Sequence, residues 1–346
     1  MQGKKKNITH IVFLFFLVAV TFFVILKDQN MDEIYEVLRH ADMLFVLPAV
    51  IFGTSRIYGE ALGIHMIMRS FHKPVSFGKC IGYAGVGFLF SGITPSASGG
   101  QPAQLFYMTR DQNPIAASGL CLVLLTIVSR ATMLLFGVAA FILYRLDLYR
   151  SLGKVKLLFV LGFSINAFLC IAFMFVLFSG KIAGKILTAA VELFAGWHLV
   201  KNKEELLTKL MVILNQYEEG AAYIKGHGGL LLRLLLLSIV QRTLMYLVPY
   251  FIYLSFGLNG EASANIMMLQ SVVAICSDML PLPGGVFANE KCYMIIMEPV
   301  FQAVHVLPSL LLSRGISFYF MLVLSACIVL FWEIRTAIEH GSAVQH

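Results

Sequence analysis

Charged side chains are scarce in this sequence. Of its 346 residues only 13% are Asp, Glu, Lys or Arg, whereas 59% are hydrophobic. Soluble domains carry about 25% charged residues, so this composition argues against a soluble protein and favours an all-α membrane protein. The net charge of +7 is typical of Lys and Arg placed beside anionic lipid. There is no basic face with interleaved aromatic residues, so we expect no nucleic-acid partner.

Paired cysteines and the common catalytic motifs are also missing. The six cysteines lie mostly in apolar stretches without C-x-x-C spacing, which predicts buried thiols rather than disulfides or a zinc site. The sequence contains no Walker A, G-x-S-x-G or H-E-x-x-H motif. We therefore expect no cofactor, no metal and no catalytic residue, and ATP-driven transport or hydrolase chemistry within this chain is disfavoured.

Long hydrophobic runs predict a polytopic membrane helix bundle with about seven or eight spans. The first run, residues 11–26, follows three lysines, which predicts a retained span, a cytoplasmic N-terminus and a plasma-membrane location. Further spans are predicted over residues 43–68, 115–143, 157–178, 230–256, 262–280 and 310–332. A single transmembrane domain is expected over residues 1–346, with its core at 8–335.

Residues 180–228 have a different pattern from the spans. Apolar residues recur there every three or four positions with charged residues between them, which predicts an amphipathic helix. Such a helix either lies along the membrane surface or packs on the ends of the bundle.

Two short Pro/Gly-rich stretches interrupt this apolar background. The first is TPSASGGQP at residues 94–102, and the second is PLPGGVFANE at residues 281–290. Proline removes a backbone donor and glycine frees the chain, so neither stretch can continue a regular helix. Broken backbone at membrane depth survives only when it is buried in protein or lines a wet cavity. We therefore predict two re-entrant hairpins with a transport site between them, although the charge pattern leaves open whether residues 80–108 re-enter or cross.

Ionisable residues inside predicted spans are functional candidates, because each costs several kcal/mol in an apolar medium. Arg56 and Glu60 lie four residues apart on one face of the second span, where they either serve a substrate or neutralise each other. Arg130 and Arg242 lie within later spans. Asp278 and Glu290 bracket the second interruption, where they could face an ammonium group, a proton or a cation, or simply cap half-helices.

The first interruption offers the complementary chemistry. Backbone N–H groups at Gly99 and Gly100, at the start of a helix near Gln101, favour an anion such as phosphate; the alternative is that the glycines only permit close packing. The complete set of candidate substrate-binding residues is Thr94, Ser96, Gly99, Gly100, Gln101, Gln104, Arg110, Arg56, Glu60, Arg130, Arg242, Asp278, Pro283, Gly284, Gly285 and Glu290.

The two motifs resemble those of the lysylphosphatidylglycerol synthase transmembrane domain, also called the flippase-like domain or UPF0104 family. The resemblance rests on ITPSASGGQPAQ at residues 93–104 and on PLPGG at 281–285 followed by Glu290. In the multiple peptide resistance factor of that family, a soluble domain transfers lysine from lysyl-tRNA to phosphatidylglycerol, and the membrane domain moves the product to the outer leaflet. This chain resembles only the membrane part, so the resemblance implies a lipid translocator rather than the transferase. Family members often have an acidic residue after the first double glycine, where this sequence has Gln101.

The leading hypothesis is therefore a translocator of a phospholipid or an aminoacyl-phospholipid such as lysylphosphatidylglycerol. One alternative is a secondary transporter of a small solute or ion. Another is the membrane component of a lysyltransferase system with a separately encoded synthase. The expected partner is a membrane phospholipid, and an oligomer is compatible with the sequence.

Overall fold

The described part of the protein is built from helices. The computed structural model describes residues 31–94, 97–143, 155–178, 184, 203–278 and 287–343, and these residues include no strand. The helices are α1 Met31–Arg39, α2 Met43–Ser70, α3 Phe77–Ile93, α4 Gly100–Arg110, α5 Ile115–Leu143, α6 Lys156–Phe178, α7 Lys203–Gly226, α8 Gly228–Tyr246, α9 Val248–Ser255, α10 Ser263–Asp278, α11 Ala288–Arg314 and α12 Met321–Ala343, with a π-helical turn at Gly315–Phe320. The expected all-α class is confirmed.

Several of these helices can cross a membrane. Four stretches within the described residues are long and apolar enough to do so: Ile115–Leu143, Lys156–Leu177, Gly228–Ser255 and Ala288–Ile334. Helix α2 has 28 residues, about 42 Å, but carries Arg56 and Glu60 near its centre. The first predicted span, residues 11–26, lies outside the described residues. The protein is therefore a multi-pass membrane protein, and its total number of spans stays a prediction.

Helix α2 lines the middle of the bundle. It begins at Asp42, whose carboxylate accepts a hydrogen bond of 2.8 Å from the backbone N–H of Leu44. Its buried face carries small residues such as Ala49 and Gly53, so that neighbouring helices approach closely. The helix packs against α3, α5, α8 and α9.

Helices α3 and α4 form the first hairpin, residues 77–110. At its tip Gly100 lies against Ser91, and halfway along Gln104 Nε2 donates to the Tyr83 carbonyl at 3.2 Å. At its base the Tyr83 hydroxyl donates to Asp111 Oδ2 at 2.9 Å. These pairings are antiparallel, so the chain returns to the end of the bundle from which it entered. The geometry is that of a re-entrant hairpin rather than a crossing.

Helix α10 and the first arm of α11, residues 288–301, form the second hairpin. Near the interruption Asn289 Nδ2 donates to Ser277 Oγ at 3.2 Å, and the two helices pack along their lengths. Gln302, with φ 59° and ψ 167°, ends the returning arm. A full span was expected over 262–280, but α10 has 16 described residues, about 24 Å, and is one arm of the hairpin.

The two hairpins enter from opposite ends of the bundle. The first begins next to the C-terminus of α2, here called the Ser70 end. The second begins a few residues after Ser255. The Ser255 carbonyl accepts a 2.8 Å hydrogen bond from the backbone N–H of Asp42, so both residues lie at the opposite end of the bundle, here called the Met43 end. One long helical stretch precedes each hairpin and one follows it, which is the inverted-repeat arrangement found in many secondary transporters.

Helix α7 packs on the bundle at the Ser70 end. Its Ala221 and Ile224 are buried, Glu218 and Glu219 are exposed, and the Tyr217 hydroxyl donates to the Val176 carbonyl of α6 at 3.1 Å. The predicted amphipathic helix thus matches residues 203–226, and its contacts favour packing on the ends of the bundle. Residues 180–183 and 185–202 lie outside the described part.

Candidate functional site

Four long helical stretches each place a polar side chain within one residue of their centre. These residues are Arg56 on α2, Arg130 on α5, Asn166 on α6 and Arg242 in the continuous stretch of α8 and α9. Glu60, one turn from Arg56, and Asp278, at the end of α10, join them. We call these six residues the polar layer, because they share one depth in an otherwise apolar bundle.

The described ends of both hairpins beside the interruptions, here called the hairpin tips, reach this layer. Gln101, at the start of α4, donates a hydrogen bond to the Thr126 hydroxyl on α5. Asp278, the last described residue before the second interruption, pairs with Arg130, one turn further along α5. Two hairpins that enter from opposite ends therefore meet the same helix about 6 Å apart along its axis. Of the candidates in the interruptions, Ser96, Pro283, Gly284 and Gly285 lie outside the described residues.

Arg130 holds the second tip against α6. Its Nη1 donates to both Asn166 Oδ1 and Asp278 Oδ2, and Asn166 Nδ2 donates to the Gly162 carbonyl at 2.9 Å. Asn166 is fully buried, whereas the side chains of Arg130 and Asp278 are 26% and 37% exposed. The ion pair is thus partly accessible at the surface of the bundle. Sequence reasoning missed Asn166, although an amide in the middle of an apolar span was a usable signal.

Glu60 forms a side-chain hydrogen bond with the first hairpin and none with Arg56. Gln104 Nε2 donates to Glu60 Oε1 at 2.6 Å. The Arg56 guanidinium lies 5.0 Å from the centre of the Phe88 ring and donates no hydrogen bond to a described residue. Arg56 and Glu60 interact electrostatically but form no contact ion pair. The two residues therefore neutralise each other only in part, and from a distance.

Arg242 has neutral partners. Its Nη2 donates to Ser129 Oγ at 2.7 Å and to the Ser129 carbonyl at 3.1 Å, and its Nη1 donates to the Tyr246 hydroxyl at 3.1 Å. The Nε atoms of Arg242 and Arg56 are buried without a hydrogen-bond partner among the described residues. Both guanidiniums thus retain donor capacity.

Glu290 forms a buried ion pair with Arg314, a residue that sequence reasoning missed. Arg314 Nε lies 2.8 Å from Glu290 Oε1, and the two side chains are 10% and 0% exposed. Arg314 directly precedes the π-helical turn, a distortion often found at functional sites. Its guanidinium lies 4.5 Å from the Phe318 ring, which is 6.3 Å from the Phe88 ring beneath Arg56. Two neighbouring, mutually tilted aromatic rings thus connect this pair to the polar layer.

The tip of the first hairpin is tightly packed. The Gly99 backbone N–H donates to Thr94 Oγ1 at 2.9 Å, and that hydroxyl donates to the Phe90 carbonyl at 2.6 Å. A Cβ at Gly100 would lie 2.7 Å from the Gly87 carbonyl oxygen. The Gly99 N–H, expected to face an anion, is thus occupied, and Gly100 allows the two arms to approach. Gln101, beside them, is exposed.

Arg110 lies at the base of the first hairpin, away from the polar layer. Its Nη1 donates to Glu333 Oε1 at 2.6 Å, and its guanidinium is 4.4 Å from the Tyr107 ring. Nine residues of α4 separate it from Gln101, about 13 Å along the axis. The structure therefore does not bring Arg110 together with the other candidate residues. Its partner Glu333 could not be inferred, because 223 residues separate the two.

The comparisons with known proteins agree with this architecture. The family model for the lysylphosphatidylglycerol synthase TM region matches residues 9–325, a range that contains both hairpins and the whole polar layer. No curated protein sequence matches the chain. The chain belongs to the family of the lysylphosphatidylglycerol synthase TM region.

Proposed function

We propose that this protein is a lipid translocator, which carries phospholipid head groups between leaflets along the exposed side of the polar layer, here called the groove. The observation that supports the proposal most is the convergence of both hairpin tips on one turn of α5, beside the partly exposed Arg130–Asp278 pair. Exposed charge at the centre of a membrane bundle is too costly to face acyl chains. Water or a polar head group is the physically reasonable occupant.

Lateral exposure of the groove favours a lipid over a small solute. Gln101 and Asp278 are both exposed at the surface of the bundle rather than enclosed within it. A lipid can place its head group in such a groove while its acyl chains stay in the bilayer. Because the hairpins enter from opposite ends, tilting either one would open the polar layer towards a different leaflet.

In this proposal the Ser70 end is cytoplasmic and the membrane is the plasma membrane. Arg69, Lys73 and Lys79 all lie beside that end. Short cytoplasmic loops carry an excess of Lys and Arg, which supports this orientation.

The test is leaflet exchange by the purified protein in phospholipid vesicles. A fluorescent phospholipid in the outer leaflet is bleached by dithionite, and the protected fraction is followed with and without protein. We expect faster exchange with the wild type and a loss of about tenfold or more in Asp278→Asn, which weakens the hold on Arg130. Glu218→Gln on the exposed face of α7 is the matched control. Exchange by the folded wild-type protein no faster than in empty vesicles would refute the proposal.

A further inference from the structure

The polar layer carries an excess of positive charge. It contains three guanidiniums, on Arg56, Arg130 and Arg242, but only the two carboxylates of Glu60 and Asp278. The neighbouring Glu290–Arg314 pair is neutral overall. Lys291, exposed beside the second interruption, adds a further positive charge at this depth.

Each carboxylate near the groove has at least one donor, and Glu290 also keeps a buried Oε2 without a hydrogen-bond partner among the described residues. Asp278 is paired with Arg130 and Glu290 with Arg314, and Glu60 accepts a hydrogen bond from Gln104. A cationic amine entering the groove would have to compete with these donors. Gln101, at the exposed tip of the first hairpin, is neutral and adds no attraction for a cation.

The guanidiniums of Arg56 and Arg242 are the groups left for a ligand. Neither forms an ion pair with a carboxylate in the part of the chain that the structure describes, and each has a buried, unpartnered Nε. Arg56 is attracted by Glu60 and repelled by Arg242, because all three side chains are close enough to interact electrostatically. An anion beside both would relieve that repulsion. Guanidinium donors match the geometry of phosphate oxygens, which they bind through two parallel hydrogen bonds.

We propose that Arg56 and Arg242 bind the phosphate of an anionic phospholipid, so that the protein moves lipids of net negative charge in preference to aminoacylated lipids of net positive charge. This inference rests on the proposed function and specifies its substrate class. Both lipid classes contain a phosphate, but only the aminoacylated lipid brings an ammonium group into a layer that is already positive. Electrostatic repulsion then disfavours its head group.

The experiment compares two fluorescent lipids and one soluble anion in the same vesicles. Phosphatidylglycerol and lysylphosphatidylglycerol are followed by the dithionite assay, and radiolabelled inorganic phosphate is followed by uptake. The variants are Arg56→Gln and Arg242→Gln. Arg233→Gln, an exposed arginine on the same helix as Arg242, is the matched control. Thermal unfolding of each variant checks that it is folded.

We expect phosphatidylglycerol to exchange at least about tenfold faster than lysylphosphatidylglycerol, because the positive layer repels the ammonium group. Arg56→Gln and Arg242→Gln should abolish most of that preference, whereas Arg233→Gln should keep it. Equal or faster exchange of lysylphosphatidylglycerol would overturn the inference and leave the lipid translocator intact. A preference that survives in both folded variants would likewise overturn it. Uptake of phosphate without exchange of either lipid would overturn the lipid translocator itself, and with it this inference.

Discussion

At the scale of single residues, the buried charges in this bundle are held by partners from other helices. Arg130 reaches Asn166 and Asp278, and Glu290 reaches Arg314, across sequence separations of 24 to 148 residues. A charge buried in an apolar interior is stable only while its partner is present. These pairs therefore hold hairpin tips in place in addition to any role in binding.

Glu290→Gln should destabilise the protein strongly. The substitution leaves the Arg314 charge without this carboxylate, and breaking a buried pair typically costs about 3–5 kcal/mol. Thermal unfolding in detergent should show a clear drop in midpoint temperature. Glu298→Gln, at an exposed position of the same helix, should leave the midpoint nearly unchanged. Equal midpoints for the two variants would contradict a structural role for the pair.

Gly100→Ala should loosen the tip of the first hairpin. Its Cβ would lie within 2.7 Å of the Gly87 carbonyl oxygen, and overpacking of this kind costs about 1–3 kcal/mol. Gly119→Ala, where a Cβ meets nothing within 4 Å, should instead stabilise its helix by about 0.5–1 kcal/mol. The midpoint temperature of thermal unfolding should therefore fall in Gly100→Ala and rise in Gly119→Ala. A shift of the same sign in both variants would contradict the packing described here.

The sequence predicted most of the charged residues in the interior, but not their partners. Arg130 and Arg242 were candidates because an arginine in an apolar span requires an explanation. Arg314 was overlooked because it lies close to the expected start of the last span, at residue 310. Which carboxylate each arginine meets depends on tertiary packing, and periodicity within one helix carries no such information.

At the scale of elements, the two hairpins determine the architecture. Proline and glycine in residues 94–102 and 281–290 predicted both interruptions, because neither residue supports regular helix hydrogen bonding or conformation there. The composition could not settle whether the first hairpin re-enters. Hydrogen bonds between its two arms, such as the one from Gln104 to the Tyr83 carbonyl, indicate that the hairpin re-enters. The kink at Gln302 was not predicted, since a glutamine rarely adopts a positive φ.

Cysteine accessibility distinguishes re-entry from crossing. Exposed positions at the two bases of the first hairpin are Ser76 and Ile115, and those at the bases of the second are Ala262 and Ala303. After replacement of the exposed Cys327, a membrane-impermeant thiol reagent should label Ser76→Cys and Ile115→Cys from one side of the membrane. It should label Ala262→Cys and Ala303→Cys from the other side. Labelling of the two bases of one hairpin from opposite sides would mean that this hairpin crosses.

At the scale of the whole molecule, the proposed function depends on where the two hairpin tips meet. The tips lie against one turn of α5, in a layer whose guanidiniums outnumber its carboxylates. This combination could not be derived from the sequence, because it requires residues from five separate helices to share one depth. It supports both the lipid translocator and the preference for a negatively charged head group.

The most direct measurement is photo-crosslinking from the head group of the transported lipid. Phosphatidylglycerol with a photoreactive diazirine on its head group is reconstituted with the protein and irradiated, and the modified peptides are identified by mass spectrometry. We predict adducts at the centre of the bundle, on the peptides that contain Gln101 and residues 126–130, and fewer of them in Arg56→Gln. Adducts confined to the two ends of the bundle, for example at Lys79 and His40, would contradict a head-group site at the polar layer.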